Sequence, residues 1–533
     1  MARHSLCILL CLFGFSSQKS TFDDTSYVAA VVEYEVRANS SLNLQNYVQL
    51  IRDAAKENAD IVVFPEMTLT VRDHVVVPIN GLLKDYPVPA LQPNLYDEVL
   101  VSISSAAKEN QIYVVVNVEE IVDCTSGDVA GESCPEQKVY LYNTNVVLDR
   151  GGAVIDRYRK INLFGESTRK PGSLSDLGIF ETDFGVKFGH FICFDLMFQV
   201  PAIQIVQKYN ITDIVFSTMW FSELPYLTAV QIQEAYAFSM NVNFLGAGAN
   251  NVRVGSAGSG IYSGKAGALV SIIPGVSTTK LLVARVPKVP GQVNETVPGP
   301  IYNSPTEQDN LYLLTDPSLV SHTTRLLTPG NQQFILTDND VSCYFRVRLS
   351  ERSGSNTYRY RAGAFSGVRT YSGFTTGGIR VCSVFACTND TLQSCGQRFP
   401  QYSPNSTAVF ETLVINAGVP IPETDEALSA KKTVYFPVTL DTSLMPLRPD
   451  FYNFEERQIL NALTVCSFNL RISVADLYSF AVFGREYTTD EEETTDNNGN
   501  TTPAPEDPDS DSSGVHRLHL LVLLFCTLAL LRL

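Results

Sequence analysis

The periodicity of apolar residues changes once along the chain, and this change constrains the fold more than any other feature. From residue 27 to about 288, short apolar strands alternate with segments of helical periodicity. From about residue 309 onward the helical periodicity is lost, and in 343–349 apolar and polar residues alternate, as in a sheet with one solvated face. The pattern predicts a layered α/β domain followed by a second, mainly β domain.

The positions of the individual elements follow from the same pattern. In the first region, strands are expected at Tyr27–Val32, Asp60–Phe64, Ile112–Val118, Val139–Leu148, Ala153–Tyr158, Lys187–Cys193, Asp213–Ser217 and Phe244–Ala249. Helices are expected from a cap at Ser40 or Ser41 through Ala55, and at Leu95–Asn110, Pro201–Tyr209 and Leu227–Asn241. In the second region, strands are expected at Gln332–Leu336, Ser342–Leu349, Tyr358–Ala364, Gly378–Phe385, Val409–Ile415, Thr433–Thr439 and Val465–Val474.

The composition excludes two classes of protein. Of the 533 residues, 45% are hydrophobic and 18% charged, which is too much apolar material for a disordered chain and enough for more than one core. The net charge is -17, but ten acids lie within 486–511, a stretch without Lys or Arg, and the rest of the chain carries only -7. Because phosphate binding needs a basic face, no nucleic-acid partner is expected.

The amino-terminal residues resemble a targeting signal. A basic start, a short apolar run and a small, polar exit describe a secretory signal peptide at 1–20, with a buried first helix as the alternative. We then expect the α/β domain at 21–305, the β domain at 306–485 and an acidic, Thr- and Pro-rich solvated stalk at 486–513.

The carboxyl-terminal residues suggest a membrane anchor. A short polar spacer precedes the apolar run 518–531, which is shorter than the ~20 residues that cross a bilayer. The pattern predicts a GPI-anchor signal at 514–533, with Ser512 as the acceptor and Ser510 or Ser513 as alternatives. A transmembrane helix is the other interpretation. The expected location is the extracellular face of the cell membrane, with shedding to the extracellular space as a variant.

Sequons and cysteines agree with a secreted chain. Of the 11 cysteines, three lie in the end segments expected to be removed. Cys124 with Cys134, and Cys387 with Cys395, are spaced to close local loops, whereas Cys193 has no partner near it in sequence. If Cys193 is free, one further cysteine must also be unpaired. Glycosylation is expected at six sequons, which are Asn39, Asn210, Asn294, Asn389, Asn405 and Asn500.

Three residues at or just after the ends of predicted strands are candidates for catalysis. Glu66 follows a buried strand, where a carboxylate can project into the crevice above a sheet; the alternative is an acid that caps the next segment. Lys160 lies in a basic run, which is usually a solvated face. Cys193 lies at a sharp bend from a strand toward a helix, as in a nucleophile elbow, although the serine motif G-x-S-x-G is absent. Its alternative role is that of a buried structural thiol.

The motifs around these residues occur in a recognisable order. Glu66 stands in FPE, Lys160 in RKINLFGE and Cys193 in FICFD, accompanied by GHFICFDLMF, DIVFSTMWFSELPYLTAVQIQEAYA, NFLGAGAN and AGSGIY. Together they resemble the nitrilase (carbon–nitrogen hydrolase) superfamily and, more narrowly, its vanin/biotinidase branch. The resemblance spans about Tyr27–Tyr487 and implies an α-β-β-α sandwich followed by a smaller, mainly β domain.

The resemblance implies a Glu-Lys-Cys triad that hydrolyses a linear amide through a thioester. Cys193 would attack the carbonyl and Glu66 would transfer the protons. Lys160 and the backbone N–H of Phe194 would stabilise the oxyanion. Glu166 resembles the superfamily's supporting second glutamate. No cofactor or metal is expected, and the expected partners are a small-molecule amide and, through the anchor, a membrane.

The substrate and two alternative functions remain open on the sequence. The family's known substrates are pantetheine and biotinyl-lysine, but Gln231 stands where the branch carries a glutamate. The main alternative is a catalytically inactive protein with the same fold, which serves as a cell-surface binding or adhesion ectodomain. A nitrilase that acts on nitriles is a third possible function. A catalytically inactive relative would be expected to lack one of the reactive residues, yet Glu66, Lys160 and Cys193 are all present. The oligomeric state is not indicated.

Overall fold

The computed structural model describes residues 19–71, 73–125, 134–293, 301–302, 310–350, 357–399, 408–459, 463–492, 494–495 and 501–502. Its helices are α1 (Ser40–Lys56), α2 (Leu82–Asp85), α3 (Glu98–Asn110), α4 (Gln204–Tyr209) and α5 (Ala229–Met240). The strands of the first region are β1 (Ser26–Glu35), β2 (Ile61–Val63), β3 (Tyr113–Asp123), β4 (Val139–Leu148), β5 (Val154–Arg159), β6 (Gly178–Glu181), β7 (Lys187–Ile192), β8 (Asp213–Thr218), β9 (Glu223–Leu224), β10 (Asn243–Asn250), β11 (Ser259–Ser263), β12 (Ala268–Ile272), β13 (Lys280–Pro287), β14 (Ile301–Tyr302) and β15 (Leu314–Thr315).

Two face-to-face sheets form the centre of the first region. One sheet has the strand order β13-β1-β2-β3-β4-β5, and the other has the order β6-β7-β8-β10-β11-β12-β14. They join where Tyr34 and Glu35 at the end of β1 pair with Ala249 and Asn250 of β10. β1, β2 and β3 are parallel to one another, as are β7, β8 and β10, so the carboxyl ends of both sets lie at sheet edges.

Burial on both faces of each sheet explains the apolar composition of the strands. Val31 and Val63 of the first sheet meet Leu245 of the second in a dry layer between the sheets. On the outer faces, the first sheet packs against α1 and α3, and the second packs against α4, α5 and part of the β region. Strands buried on both faces need no polar alternation. This arrangement is the α-β-β-α sandwich that the resemblance implied, and that expectation is confirmed.

The second region is a sandwich of two antiparallel sheets. Its strands are β16 (Thr323–Leu326), β17 (Gly330–Asp338), β18 (Val341–Ser350), β19 (Arg359–Tyr371), β20 (Thr375–Cys387), β21 (Val409–Pro420), β22 (Thr424–Asp425), β23 (Ala430–Lys431), β24 (Thr433–Asp441), β25 (Tyr452–Ile459), β26 (Leu463–Leu470), β27 (Val474–Ala475), β28 (Leu477–Glu486), β29 (Thr494–Thr495) and β30 (Thr501–Thr502). The sheet β16-β19-β20-β28-β24 packs one face on the sheet β17-β18-β21-β26-β25 and its other face on the first region, where β24 contacts α5. A disulfide between Cys343 and Cys382 links the two sheets.

Several element boundaries differ from the sequence-based expectations. Asn39, not a serine, caps α1, because its side chain accepts a hydrogen bond from the Leu42 N–H at 2.9 Å. The helix α3 begins at Glu98 instead of Leu95, and the strand expected to continue to Val474 ends at Leu470. No helix within the described residues combines the length and apolar composition that crossing a membrane requires.

Candidate active site

The three candidate residues lie at strand ends that meet at one edge of the sandwich. Glu66 follows β2 and Lys160 follows β5 in the first sheet, while Cys193 follows β7 in the second. The Lys160 Nζ lies 2.9 Å from the Glu66 Oε1, and both groups are close enough to the Cys193 thiol to influence its ionisation. The structure therefore brings the three sequence-predicted residues together, although 127 positions separate the first from the last.

The basic run around Lys160 is not a solvated face. Arg157, Arg159 and Lys160 are all buried, with exposed fractions of 6%, 6% and 1%. Both arginines pair with Glu120, whose Oε1 lies 3.4 Å from the Arg157 Nη1 and 2.7 Å from the Arg159 Nη2. Lys160 instead reaches Glu66 and the second glutamate of the site, Glu166. The run is thus divided between a structural ion cluster and the candidate site.

Two carboxylates keep Lys160 charged although it is buried. The Lys160 Nζ donates to Glu66 Oε1 and to Glu166 Oε2, each at 2.9 Å. Burial acts against the charged form, but the attraction of Glu166 and Glu66 outweighs it and holds the pKa of Lys160 well above its ordinary value. In the same way, burial acts against ionised Glu166, and Lys160 together with the Phe164 N–H lowers the pKa of Glu166. Lys160 is therefore a fixed cation.

An asparagine that the sequence analysis did not identify holds both glutamates. The Asn143 Nδ2 donates to Glu66 Oε1 at 2.7 Å and to Glu166 Oε1 at 2.6 Å. Its Oδ1 accepts from Asn117 Nδ2 at 2.8 Å, and the Asn117 Oδ1 in turn accepts from the Met67 N–H at 2.9 Å. The sequence did contain a signal for this network, namely asparagines within buried strands. A buried side-chain amide needs hydrogen-bond partners, so such residues indicate a polar network.

Cys193 lies in a strained turn immediately after its strand. Its φ of +49° is in the left-handed region, which costs a non-glycine residue roughly 1–2 kcal/mol. The buried Asp195 carboxylate stabilises the turn by accepting from the Ile192 N–H at 3.1 Å, the Asn162 N–H at 2.8 Å and the Tyr158 hydroxyl at 2.7 Å. The bend resembles the nucleophile elbow expected from the sequence. It directs the Cys193 side chain out of the sheet.

The Cys193 thiol is free and protonated at neutral pH. Its Sγ donates to the Met219 carbonyl at 3.6 Å. Burial, and then the Glu66 carboxylate, raise the pKa of the thiol far above its ordinary value, against the weaker opposing effect of Lys160. The Glu66 Oε2 accepts from the Met219 N–H at 2.7 Å, so Glu66 is fixed on the same segment as the thiol. A neutral thiol next to an oriented carboxylate requires the carboxylate to remove the proton during attack.

The arrangement also supplies groups suited to an oxyanion. Lys160 is a fixed cation, and Phe194 is the second residue of the helical turn Cys193–Met197. The first N–H groups of such a turn have no acceptor within the turn and remain available to a ligand. No group of three or more His, Cys, Asp or Glu side chains in the described part of the chain is arranged to hold a metal ion.

A pocket of about 40 Å³ opens beside Cys193 and is closed partly by the β region. Leu314 of β15 contributes to it, as do Tyr371 and Ser372 at the tip of the β19–β20 hairpin. The Phe374 ring of the same hairpin packs on Phe164, with centroids 5.0 Å apart. The pocket lining consists of Phe164, Cys193, Phe194, Met197, Trp220, Phe221, Glu223, Leu227, Leu314, Tyr371 and Ser372. A larger cleft elsewhere between the two regions does not contain Cys193.

Gln231, at which the sequence differs from the branch it resembles, is held by hydrogen bonds within the protein. It is 1% exposed, and its Oε1 accepts from the Thr228 N–H at 3.0 Å at the start of α5. Its Nε2 donates to the Pro225 carbonyl at 3.0 Å and to Ser479 Oγ at 3.2 Å. The side chain is not part of the pocket lining, so it ties α5 to β28 instead of contacting a ligand there.

The predicted glycosylation and lipidation sites fall into two groups, those on exposed residues and those outside the described residues. Asn39, Asn210 and Asn389 are exposed. Asn294, Asn405, Asn500, Ser510, Ser512 and Ser513 lie outside the described residues, as do most of the expected signal and anchor segments. The two local disulfides, Cys124–Cys134 and Cys387–Cys395, are both present, and the second unpaired cysteine is the buried Cys466.

Comparisons with known proteins agree with this geometry. The family model for carbon-nitrogen hydrolases matches residues 28–286, and the model for the vanin C-terminal domain matches residues 311–490. Vanin-like protein 2 of Drosophila melanogaster is 34% identical over 505 residues, which cover 90% of this chain and 93% of that protein. A biotinidase of Takifugu rubripes is 30% identical and covers 70% of this chain and 81% of its own. A pantetheinase of Mus musculus is 29% identical and covers 78% of this chain and 81% of its own.

Proposed function

The chain belongs to the vanin-like branch of the carbon–nitrogen hydrolase family and is a hydrolase of carbon–nitrogen bonds, and we propose that it cleaves a linear amide through a thioester on Cys193. The observation that carries the proposal is a free thiol, in a strained turn and beside a pocket, next to a lysine held by two glutamates. The relatives named biotinidase and pantetheinase supply the first two candidate substrates, biotinyl-lysine and pantetheine.

The first half-reaction forms the thioester and releases an amine. Glu66 takes the proton of the Cys193 thiol as the sulfur attacks the amide carbonyl carbon. Lys160 and the Phe194 N–H stabilise the oxyanion, and one such donor is typically worth ~10²–10³ in rate. Glu66 then gives its proton to the amide nitrogen, the carbon–nitrogen bond breaks and the amine leaves.

The second half-reaction returns the enzyme to its resting form. Glu66 takes a proton from a water molecule, whose oxygen attacks the thioester carbonyl carbon. The carbon–sulfur bond breaks, the carboxylic acid leaves, and Glu66 returns the proton to the Cys193 sulfur. Glu166 does not react in this scheme. It shares Lys160 and Asn143 with Glu66, and so holds both in position.

The proposed activity is tested on the secreted ectodomain, residues 21–492, which keeps the whole of β28 and the Arg485–Asp490 ion pair, with Cys193→Ala prepared in parallel. Amine release from pantetheine and from biotinyl-lysine is measured under mildly reducing conditions. We expect wild type to cleave one of them and Cys193→Ala to be slower by at least ~10³-fold, because a residual rate comes only from binding and the oxyanion donors. Normal turnover by Cys193→Ala contradicts the mechanism. Cleavage of neither substrate by a protein with a free Cys193 discards both substrates but not the amidase.

The proposal extends to location: the protein is secreted and GPI-anchored at Ser512, with Ser510 or Ser513 as alternative acceptors. Three disulfides among the described residues support an oxidising compartment, and the exposed Asn39, Asn210 and Asn389 support glycosylation. The full chain is expressed in animal cells and treated with phosphatidylinositol-specific phospholipase C. Release of glycosylated protein from the cell surface is expected. A surface protein that resists the phospholipase, or a cytosolic one, contradicts the anchor.

A further inference from the structure

The pocket beside Cys193 has a lining with a single charged side chain. Five of its eleven lining residues are aromatic, and Glu223 is the one carboxylic acid among them. Lysine, arginine and histidine are absent from that lining within the described residues. Aromatic faces next to one carboxylate form an environment that stabilises a cation and disfavours an anion.

Glu223 belongs to a buried cluster with one more acid than base. The Arg369 guanidinium donates to Glu223 Oε1 at 2.7 Å and Oε2 at 2.9 Å, and also to Asp316 Oδ2 at 2.8 Å. The Arg369 and Asp316 side chains are fully buried, and Glu223 is 10% exposed. Only Glu223 of the three lines the pocket. The excess negative charge of the cluster therefore faces the pocket through Glu223.

Burial makes this negative charge costly, which favours a cationic ligand. Burial and the nearby Asp316 raise the pKa of Glu223, while Arg369 opposes them. An unbalanced charge in a poorly solvated site is stabilised strongly by an opposite charge, because the local dielectric constant is low.

Among the described residues, the other cations near the pocket are paired with acids and do not repel such a ligand. Lys160 is shared by two glutamates. Arg485, which lies 5.8 Å from the centroid of the Tyr371 ring, pairs with Asp490 at 2.7 Å. In each of these groups the acids equal or outnumber the bases, so the surroundings of the pocket are negative overall.

We propose that this site selects amides that carry a protonated amine a few bonds from the scissile bond, with the ammonium group bound at Glu223 between aromatic rings. The inference rests on the proposed amide hydrolysis at Cys193, whose side chain lines the same pocket. The short spacing follows from the pocket volume of about 40 Å³, which leaves little room between the two side chains. Amides with a carboxylate in that position are rejected by Glu223.

The test uses three amides that share one acyl group and differ only in the charge of the leaving amine. The amines are ethylenediamine, ethanolamine and glycine, which give a cationic, a neutral and an anionic substrate at neutral pH. With wild-type ectodomain we expect kcat/KM to be about 10-fold or more higher for the cationic than for the neutral amide, and lowest for the anionic one. Equal values, or a preference for the anionic amide, overturn the inference and leave the amidase intact.

Two variants distinguish the effect of the Glu223 carboxylate at the pocket from that of the buried cluster behind it. Glu223→Gln is expected to reduce the ratio of cationic to neutral kcat/KM by about 10-fold. This ratio is internal to each variant and does not depend on how much active protein folds. Asp316→Asn is the matched control, because it removes an equal charge from the same arginine but does not line the pocket. It removes the excess negative charge of the cluster but leaves the carboxylate at the pocket, so it is expected to lower the ratio less than Glu223→Gln does. A ratio unchanged in Glu223→Gln overturns the inference.

A binding measurement separates this inference from the proposed function. The three amides are titrated into Cys193→Ala by calorimetry, where no turnover is needed. Binding of the cationic amide about 10-fold more tightly than the neutral one supports the inference even if wild type hydrolyses none of the three, an outcome that discards these amides as substrates and leaves the binding preference standing. Equal binding, or binding of none, overturns the inference.

Discussion

A single buried amide determines how the two glutamates of the site are arranged. The Asn143 Oδ1 is occupied by the Asn117 Nδ2, so the Asn143 Nδ2 must face Glu66 and Glu166. The amide orientation is thus set by a hydrogen-bond chain that begins at the Met67 N–H, one residue after Glu66. This chain makes Asn143 a positioning residue for the proposed proton transfers.

Replacing Asn143 by alanine is expected to lower kcat about 10- to 100-fold. Loss of the donor destabilises ionised Glu166, whose pKa Asn143 helps to lower, so the acid limb of the pH profile of kcat/KM moves to higher pH. Asn46→Ala is the control, because the Asn46 side-chain amide donates to the Tyr34 hydroxyl and is not part of this hydrogen-bond chain. A profile that falls in height without moving along the pH axis would contradict a positioning role and indicate loss of fold only.

Among single residues, the sequence indicates the three candidates better than their supports. Glu66, Lys160 and Cys193 lie at or just after the ends of predicted strands, and the motifs around all three agree with one resemblance. Asn143 and Asn117 lie inside strands, and their partners depend on the register in which β3 pairs with β4. That register is a tertiary property, which the pattern of apolar residues alone leaves open.

The tip of the β19–β20 hairpin is fitted against the segment that follows Lys160. Gly165 has a φ of +69°, and a Cβ atom placed on it would lie 2.6 Å from the Phe374 ring. The position therefore requires glycine for two reasons, its backbone conformation and the approach of the hairpin. Both Phe164 and the hairpin residue Tyr371 line the pocket.

Gly165→Ala is expected to lower kcat/KM about 10-fold or more by displacing the hairpin from the pocket, in addition to a backbone cost of ~1 kcal/mol. Gly330→Ala is the matched control, since Gly330 also has a positive φ but has no atom within 4 Å of its Cβ position. Adding Phe374→Ala to Gly165→Ala removes the clash between the new Cβ and the Phe374 ring. The double variant recovers part of the activity only if this clash causes the loss in Gly165→Ala. Equal activity losses in the two single glycine variants would contradict this account.

Among the elements, the sequence predicts many strands of both regions but misses β28. This strand lies between β20 and β24 and is buried along its whole length, so it lacks the alternation that marks a half-buried strand. The hairpin contact with Phe164 could not be predicted, because it joins residues about 200 positions apart from two separately predicted regions.

The molecule as a whole contains several buried carboxyl groups that favour the protonated form. Burial raises the pKa of Glu33 to about 7 and that of Glu234 to about 8, and it raises those of Asp195, Asp213 and Asp441 to about 6. Because each folded pKa lies above the ordinary value, the stability these groups contribute is present at low pH and is lost as the pH rises through the folded pKa. They therefore favour a stability maximum on the acid side of neutral.

Glu234→Gln is expected to flatten the pH dependence of stability between about pH 6 and 8. Wild type loses roughly 2 kcal/mol over this interval through Glu234 alone, because the folded state retains a proton that the unfolded state has released. The measurement is the free energy of unfolding by urea at both pH values, with Glu57→Gln, an exposed carboxyl on the same region, as the control. Identical slopes in wild type and Glu234→Gln contradict the prediction.

At the scale of the whole molecule, the sequence predicts two differently patterned regions in the right order. The sequence leaves open how the two regions pack on each other. The apolar residues at their interface, such as those between α5 and β24, have the same pattern as residues buried inside either region. The closure of the pocket by Tyr371, and the cluster of Arg369 with Glu223 and Asp316, depend on that packing.

The most direct test of thioester formation is mass spectrometry of the Cys193 peptide from enzyme quenched with acid during turnover of an amide it cleaves. We expect an adduct with the mass of the acyl group on Cys193, which hydroxylamine removes and which Cys193→Ala lacks. Turnover without any adduct on Cys193, together with normal turnover by Cys193→Ala, would contradict thioester formation.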